Sequence, residues 1–365
     1  MVKLRVLHMI GGLNTGGSQS LVINLYKAIN RDEIQFDFII DEPGQLFYKP
    51  LIEELGGKVF VMPKFNGKNF FAIKKAYKLF FKEHPEYKIL HSHVRSYASI
   101  YLPVAKRFGV KTIIHSHNTS NGTGIQSLFK KIMQIPLKRQ ADYLMSCSTI
   151  AGEWLFGKKA CKKSNYIFVP NALNLTDFSF NEEIRNEIRK EFNVEDKFVI
   201  GHVGYFKEQK NHTFLIKVFN DIAKERSDAV LLLVGQGELR PQIEQMIKEL
   251  NIEDKVIFAG VRGDVYKIYQ AMDVFAFPSL WEGLPVTVVE AQASGVPCFI
   301  SDTITKDIHI TELIHVLPIT NIKIWVDSIL NCDTKRKDCS IRIKEKGFDV
   351  NELAKSLTEF YFSIV

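Results

Sequence analysis

Cysteine is scarce in this chain of 365 residues, and no two cysteines form a recognisable pair. The five cysteines are odd in number and scattered, which argues against a disulfide framework and a cysteine-based zinc site. No apolar run approaches the roughly 18 residues that span a bilayer, and the N-terminal segment is too short and interrupted for a signal peptide. These absences predict a cytoplasmic protein.

Two phosphate-associated motifs are also missing. No Asp-x-Asp triplet occurs, so the chain has no ready carboxylate pair for a divalent ion that bridges a diphosphate. The glycines after the first apolar run do not have Gly-x-Gly-x-x-Gly spacing, which disfavours a dinucleotide-dependent oxidoreductase. We therefore expect neither a metal nor another cofactor.

The length exceeds that of a usual single domain, so two domains are expected. The formal net charge of +7 is unevenly distributed. Residues 1–178 carry 25 Lys and Arg against 12 Asp and Glu, whereas the remaining residues carry 23 against 29. This asymmetry indicates that the first domain faces an anionic partner, either a nucleic acid or a membrane surface. A solvated basic domain without such a partner is the alternative.

Short apolar runs alternate with amphipathic segments, which is typical of βαβ units and parallel sheets. Residues 170–178 are turn-rich and separate two such sets. We predict an α/β protein with two Rossmann-like, doubly wound domains, residues 1–175 and 176–349, and a helix at 350–365 that packs back on the first domain. Predicted strands are 5–10, 36–40, 59–62, 89–92, 111–115, 143–146, 198–203, 229–234, 255–259, 274–278 and 297–301.

Residues 278–291 carry the clearest chemical signal. A predicted strand ends at Pro278, and a helix starts near Pro285, where proline is tolerated because its missing donor is not needed. The free N–H groups and positive dipole at that helix start suit a diphosphate. Glu282, before the helix, and Glu290, inside it, can accept hydrogen bonds from a polyhydroxylated ligand. Either glutamate alone is explained as an ordinary surface or helix charge, but the combination favours ligand binding.

This segment resembles the signature of retaining glycosyltransferases of family 4, through Glu282-Gly283-Leu284-Pro285, Glu290-Ala291 and Gly295-Val296-Pro297. The resemblance covers nearly the whole chain and is closest to the bacterial capsule and exopolysaccharide branch. It implies the GT-B architecture, in which two Rossmann-like domains face each other across a cleft. It also implies that Glu282 contacts the donor sugar and Glu290 the ribose, with Gly283, Leu284 and Pro285 against the donor.

The loop after the strand at 198–203 extends the resemblance. Gly204 begins this loop, and Lys210 matches a family lysine that neutralises the leaving diphosphate. The family usually has an arginine where this chain has Tyr205. Lys207, two residues on, is a candidate substitute for it.

Two further loops are donor-binding candidates. Gly16 and Gly17 follow the first strand and match the family loop near the donor phosphate, although a merely tight turn is the alternative. Val261 and Arg262 are expected beside the nucleotide base.

Histidines end two predicted strands. His117 matches the single histidine that the family places in the active site better than His115 does, and it would stabilise charge in the transition state. For His91 and His93, on the preceding strand, we favour a packing role.

Residues 68–82 and 127–139 mix aromatic side chains and lysines at helical spacing. Such segments can lie on an anionic membrane surface, although ordinary helices with a buried aromatic face explain them too. The resemblance favours the membrane, because such enzymes often act on lipid-linked acceptors. We predict peripheral association at the inner face of the cell membrane and no nucleic-acid partner, since no recognised nucleic-acid module is present.

Together, these features predict a retaining, metal-independent glycosyltransferase. It would move a hexosyl or N-acetylhexosaminyl unit from a nucleoside diphosphate sugar, of the UDP type, to a lipid-linked or growing polysaccharide acceptor. His117, Lys210 and Glu282 are its predicted catalytic residues. A nucleotide-sugar epimerase on the same fold and a donor-binding subunit with little catalysis are the alternatives, the latter because of Tyr205.

Overall fold

The computed structural model describes residues 3–14, 17–42, 44, 46–118 and 124–365. Two compact units divide the chain: one combines Met1–Leu173 with Gly347–Val365, and the other is Asn174–Lys346. The boundaries predicted after residues 175 and 349 lie two and three residues later in the chain than these.

The first unit is a seven-stranded parallel sheet with the order β3-β2-β1-β4-β5-β6-β7. Its strands are β1 (Leu4–Gly11), β2 (Ile34–Ile40), β3 (Val59–Val61), β4 (Ile89–Ser92), β5 (Lys111–Ser116), β6 (Tyr143–Ser146) and β7 (Tyr166–Phe168). Its helices are α1 (Gly17–Ala28), α2 (Lys49–Glu54), α3 (Phe70–Glu83), α4 (Ala98–Arg107), α5 (Gly124–Gln134), α6 (Leu137–Gln140), α7 (Thr149–Phe156) and, from the C-terminus, α16 (Val350–Ser363).

The second unit is a six-stranded parallel sheet with the order β10-β9-β8-β11-β12-β13. Its strands are β8 (Phe198–Val203), β9 (Ala229–Val234), β10 (Val256–Gly260), β11 (Val274–Phe277), β12 (Cys298–Ser301) and β13 (Ile314–Leu317). Its helices are α8 (Leu175–Phe178), α9 (Glu182–Glu191), α10 (His212–Glu225), α11 (Arg240–Glu249), α12 (Val265–Ala271), α13 (Val286–Ala293), α14 (Ile322–Leu330) and α15 (Ser340–Glu345).

The inner strands of both sheets are buried on both faces and rich in apolar residues. β2 and β9, for example, are buried at every residue, because helices cover both sides of a doubly wound parallel sheet. In each unit the strand order reverses at a central strand, β1 in the first and β8 in the second. Ligands of such sheets bind at the carboxyl ends of the strands beside this reversal.

Two of the four edge strands, β7 and β13, were not predicted, and the prediction wrongly ended the strands of the first unit at residue 146. β7 has only three residues, and its last residue, Phe168, is exposed. β13 has two exposed residues among its four. Strands this short and this solvated give a weak apolar signal, although β3, which is equally short and has an exposed Val61, was predicted.

The C-terminal helix α16 belongs to the core of the first unit. Its buried residues Val350, Ala354, Leu357 and Tyr361 pack in the cluster that also contains residues of β1, β2 and α1. Asp349 caps the helix by accepting hydrogen bonds from the N–H groups of Asn351 and Glu352. Across the described residues, no helix combines the length and the apolar character that a bilayer span requires.

Candidate functional site

In the second unit, the predicted donor-binding residues lie on loops at the carboxyl ends of adjacent strands. β8 pairs with both β9 and β11, and β9 pairs with β10. The loops that follow these strands therefore share one edge of the sheet, at its point of reversal. This edge contains the loops at 204–210, 235–237, 261–262 and 278–285.

Lys210 and Glu282, predicted separately from two loops, form an ion pair. Lys210 Nζ donates to Glu282 Oε1 at 2.7 Å, and the two side chains are only 15% and 9% exposed. Ser279 Oγ donates to the same carboxylate oxygen at 2.9 Å. The ammonium also lies 4.5 Å from the centroid of the Phe277 ring. A largely desolvated cation is thus held in a fixed position at the strand ends.

Ser279 and Phe277 were missed by the sequence reasoning. The position of Ser279, three residues before Glu282 in the same turn, is a signal that could have revealed it. Phe277 gave no signal, because it is indistinguishable in sequence from any buried residue of a strand.

Glycines bring two of these loops into contact. A Cβ added at Gly235, where φ is +137°, would lie 2.1 Å from the carbonyl oxygen of Gly204. A Cβ at Gly204 would meet the side chain of Lys210 at 3.2 Å. Glycine at position 235 therefore allows the two loops to approach each other, and glycine at position 204 leaves room for the side chain of Lys210.

Tyr205 is an exposed residue of the same loop. Gln236 Nε2 donates to its hydroxyl at 3.2 Å, and Lys207 Nζ lies 5.0 Å from the centroid of its ring. Lys207, the candidate substitute for the missing arginine, therefore places its charge beside the residue that replaced that arginine.

Glu290 lies in the second turn of α13 and is partly buried. Its Oε2 accepts a hydrogen bond of 2.8 Å from the hydroxyl of Tyr269, a residue that the sequence reasoning did not identify. Burial raises the pKa of the Glu290 carboxyl to about 7, although the hydrogen bond from Tyr269 acts in the opposite direction.

Hydrogen bonds to Gln209 hold the loop that leads to α13. Leu280 N donates to the Gln209 carbonyl at 2.8 Å, and Gln209 Nε2 donates to the Trp281 carbonyl at 2.7 Å. Leu284 is buried and follows Gly283, and Pro285 is the N-cap of α13, one residue before the helix. The first-turn N–H groups of α13 therefore lie beside the loop that carries Glu282.

Val261 and Arg262 follow β10. Val261 is 62% exposed. Arg262 donates to Asp264 at 2.8 Å and to Glu191 at 2.5 Å, and these two carboxylates raise the pKa of its guanidinium further. The charge of Arg262 is therefore already compensated within the protein.

In the first unit, His117 follows β5 and is partly buried. Its Nε2 lies 2.8 Å from Nδ1 of His93, the residue after β4. Burial lowers the pKa of His117 to about 3, so the ring is neutral at physiological pH. His115 and His91 lie within the sheet, and the ring of His115 stacks on that of His117 with centroids 4.0 Å apart.

The glycine loop after β1 is only partly described. Gly17 is the first residue of α1, and a Cβ there would lie 3.9 Å from Asn171 Nδ2. Gly16 lies outside the described residues.

Comparison with known proteins identifies the family. Residues 183–308 match the family described as Glycosyl transferases group 1, and residues 15–177 match the family described as Glycosyltransferase Family 4. EpsF of Bacillus subtilis strain 168, which carries a provisional glycosyltransferase assignment, is 31% identical over 98% of this chain and 96% of its own length. The chain belongs to the group 1, family 4 glycosyltransferases.

Two further proteins are similar to this glycosyltransferase over nearly its whole length. The UDP-Gal:alpha-D-GlcNAc-diphosphoundecaprenol alpha-1,3-galactosyltransferase of Escherichia coli is 25% identical over 100% of the chain and 98% of its own length. The structure of Anabaena Alr3699/HepE in complex with UDP-glucose superposes with a TM-score of 0.73 at 17% identity, covering 99% of this chain and 96% of that one. The predicted GT-B fold, with two Rossmann-like parallel-sheet domains, is confirmed.

Proposed function

We propose that this glycosyltransferase moves a hexosyl or N-acetylhexosaminyl unit from a UDP-sugar to a lipid-linked or growing polysaccharide acceptor, as in exopolysaccharide synthesis, with retention of configuration. The observation that carries the proposal is the 2.7 Å ion pair between Lys210 and Glu282 at the strand ends of the second unit. The family, together with relatives named for UDP-galactose and a diphosphoundecaprenol-linked acceptor, supports the choice of donor and acceptor class. These comparisons do not favour an epimerase.

Lys210 is assigned to the leaving diphosphate. Breaking the bond between sugar and phosphate transfers negative charge to the phosphate, and a cation already withdrawn from water stabilises that charge strongly. The N–H groups at the start of α13 add to this field. Together they would supply the stabilisation for which other enzymes use a divalent ion, and we propose that no metal is needed.

Glu282 is assigned to the donor sugar and Glu290 to the ribose. Two hydrogen-bond donors, from Lys210 and Ser279, already point at one oxygen of Glu282, which leaves its other oxygen for sugar hydroxyls. A carboxylate so strongly engaged is a poor nucleophile. We therefore assign Glu282 to positioning the sugar, and retention to attack of the acceptor on the face that the leaving phosphate occupies.

His117 is assigned to the transition state from the first unit. Its low pKa keeps the ring neutral, so it can donate one hydrogen bond to a sugar or phosphate oxygen without bringing a charge. Gly16 and Gly17 are assigned to the phosphate side of the same reaction.

Membrane association is assigned to α5. In α3, Ile73, Tyr77, Phe80 and Phe81 are buried in the core, although Phe71 and Leu79 are 81% and 53% exposed. In α5, Leu128 and Ile132 are 60% and 55% exposed beside Lys130 and Lys131. An apolar helix face flanked by lysines suits an anionic bilayer surface.

A basic cavity follows α5 in the chain. It has a volume of about 390 Å³, and its cationic lining residues are Lys138, Arg139, Lys158, Lys159 and Lys163. Such a cavity suits a phosphate headgroup, which supports attachment at the inner face of the cell membrane.

The decisive test of transfer uses radiolabelled UDP-sugars with a GlcNAc-diphosphoundecaprenol acceptor, in the presence of a chelator. Lys210→Met and Glu282→Gln should each lower kcat/KM by about 100-fold or more. Lys224→Met and Glu244→Gln, which alter exposed ion pairs of the same unit, should leave it unchanged.

Unchanged rates in both site variants would refute the assignment. Conversion of a UDP-sugar to its epimer without acceptor would show an epimerase, and donor binding without transfer to any lipid-linked acceptor would show a donor-binding subunit. An inverted anomeric configuration of the product, determined by NMR, would refute retention alone. For the membrane, Ile132→Asp should weaken sedimentation with anionic vesicles, whereas Ile341→Asp, at an exposed site of the second unit, should not.

A further inference from the structure

The sheet of the first unit gathers five histidines at the carboxyl ends of its three central strands. Their rings stack on one another, with centroid separations from 4.0 Å for His115 and His117 to 5.5 Å for His8 and His93. The members are His8 in β1, His91 in β4, His93 just after β4, His115 in β5 and His117 just after β5. We call this set the histidine cluster.

Short contacts link the cluster into two chains. In one, His8 Nδ1 lies 3.2 Å from His93 Nε2, and His93 Nδ1 lies 2.8 Å from His117 Nε2. In the other, the hydroxyl of Tyr361 lies 2.6 Å from His91 Nδ1, and His91 Nε2 lies 3.2 Å from His115 Nδ1.

The histidine cluster is incomplete as a purely structural network. A neutral imidazole has one N–H and one lone pair, so the chain from His8 through His93 to His117 leaves a donor unmatched at one end and an acceptor at the other. His8 Nε2, His115 Nε2 and His117 Nδ1 are buried and make no hydrogen bond of full geometry among the described residues, although Asn171 interacts with His117 and the Val169 backbone with His115. Poorly matched buried nitrogens are costly, and such a group of imidazoles is suited to a bound ligand.

We propose that His93, His115 and His117 bind a divalent transition-metal ion, with Zn²⁺ as the representative. Each offers one ring nitrogen, and the three nitrogens lie within 4.8 Å of one another. Two nitrogens that bind one tetrahedral zinc ion at 2.0–2.1 Å are about 3.3 Å apart. The 2.8 Å separation of His93 Nδ1 and His117 Nε2 therefore needs only a small opening to admit the ion.

The surroundings favour this trio over the overlapping set of His8, His91 and His93. His8 and His91 are fully buried, whereas His93 and His117 are partly exposed and give an ion access from solvent. His8 holds the nitrogen of His93 that faces away from His117, as outer partners of metal-bound imidazoles do. Three imidazoles leave a fourth position for water, and imidazole suits zinc, copper and nickel better than magnesium.

This inference concerns only the first unit, and its test measures metal binding rather than transfer. The test uses the full chain without an affinity tag, dialysed against a chelator, and titrated with Co²⁺ by visible absorption and with Zn²⁺ by calorimetry. One ion per chain should bind, with the intense visible bands of tetrahedral cobalt. Both His93→Asn and His117→Asn should weaken binding more than about tenfold.

Two variants serve as controls. His84→Asn alters a histidine of the same unit that lies outside the cluster, next to Glu86, and should bind as the wild type does. His8→Asn should weaken binding less than His93→Asn or His117→Asn does, because its ring is only an outer partner. Circular dichroism without metal shows that each variant is folded.

Several results would contradict the proposed metal site. These are the absence of stoichiometric binding in the wild type, an equal loss in His84→Asn, or a loss in His8→Asn with full binding in His117→Asn. If the His117→Asn protein is unfolded, the His93→Gln protein is tested instead, and its metal affinity should also fall more than about tenfold.

Discussion

Replacing Glu290 by glutamine tests the environment of the ribose-binding candidate without the substrate. Glutamine has almost the same shape and can still accept the hydrogen bond from Tyr269, so the main change is removal of the titrating proton. Burial raises the pKa of Glu290 from its ordinary 4.5 to about 7, and folding therefore takes up a proton between these values. This contribution to stability is fully present below pH 4.5 and is lost as the pH rises through 7.

The size of the effect follows from the same two values. A change from 4.5 to about 7 corresponds to roughly 3 kcal/mol at most, and partial exposure of the side chain reduces it. Relative to the wild type, the Glu290→Gln protein should therefore gain about 1–3 kcal/mol in unfolding free energy between pH 5 and pH 8. Donor affinity should fall in the same variant, because the ribose loses a carboxylate partner.

Urea unfolding measures this change in unfolding free energy, provided that the signal reports on the second unit only. Of the three tryptophans, Trp281 and Trp325 lie in the second unit, so a Trp154→Phe background makes the fluorescence specific to it. Glu244→Gln, an exposed surface change, should shift stability by less than about 0.5 kcal/mol at every pH. If the unfolding free energies of the Glu290→Gln protein and the wild type changed in parallel with pH, the reasoning would be refuted.

Three further outcomes are expected. Lys207→Met should lower kcat/KM about tenfold, and adding Tyr205→Arg should restore it; an unaffected single variant would show that Lys207 does not replace the arginine. Gly235→Ala should destabilise the second unit by about 2 kcal/mol or more, whereas Gly263→Ala, where an added Cβ meets nothing within 4 Å, should be nearly neutral in the same urea assay; equal effects would contradict this reading. Zn²⁺ should slow transfer reversibly by occupying His117, with recovery on chelation; full activity of the zinc-loaded enzyme would contradict that.

The fold was largely predictable because the inner strands are buried segments rich in apolar residues. Phe198–Val203 and Ala229–Val234, buried at every residue, were predicted at their exact bounds. The edge strands β7 and β13 were missed, and each is a half-solvated segment of three or four residues with a weak apolar signal. The edge strands β3 and β10 were nevertheless predicted, so position at an edge does not by itself decide whether a strand is found.

The site was predictable where one loop carries a recognisable order of residues. Glu282 and Lys210 were each found from their own loop, but their ion pair depends on β8 and β11 being neighbours, which the sequence does not state. Arg262 shows the converse. Its position was identified, but its two carboxylate partners, one of them 71 residues away in the chain, were not.

The histidine cluster was missed for the same reason. His91 and His93 are closely spaced, as are His115 and His117, but the sequence does not state that β1, β4 and β5 are neighbours that bring both pairs and His8 together. The absence of Asp-x-Asp and Cys-x-x-Cys could therefore exclude only those local kinds of metal site.

Tyr205 is the residue on which the distinction between a transferase and a donor-binding subunit depends. A tyrosine in place of arginine removes one positive charge from the loop, and from the sequence alone this loss looks uncompensated. In the folded protein, the Lys207 ammonium lies 5.0 Å from the Tyr205 ring, and the Lys210 ammonium is buried in the same loop. The loop thus holds two cations at the strand ends, of which Lys210 is held in place by Glu282. That arrangement retains the charge that a departing diphosphate needs, and it favours an active transferase over a subunit that only binds the donor.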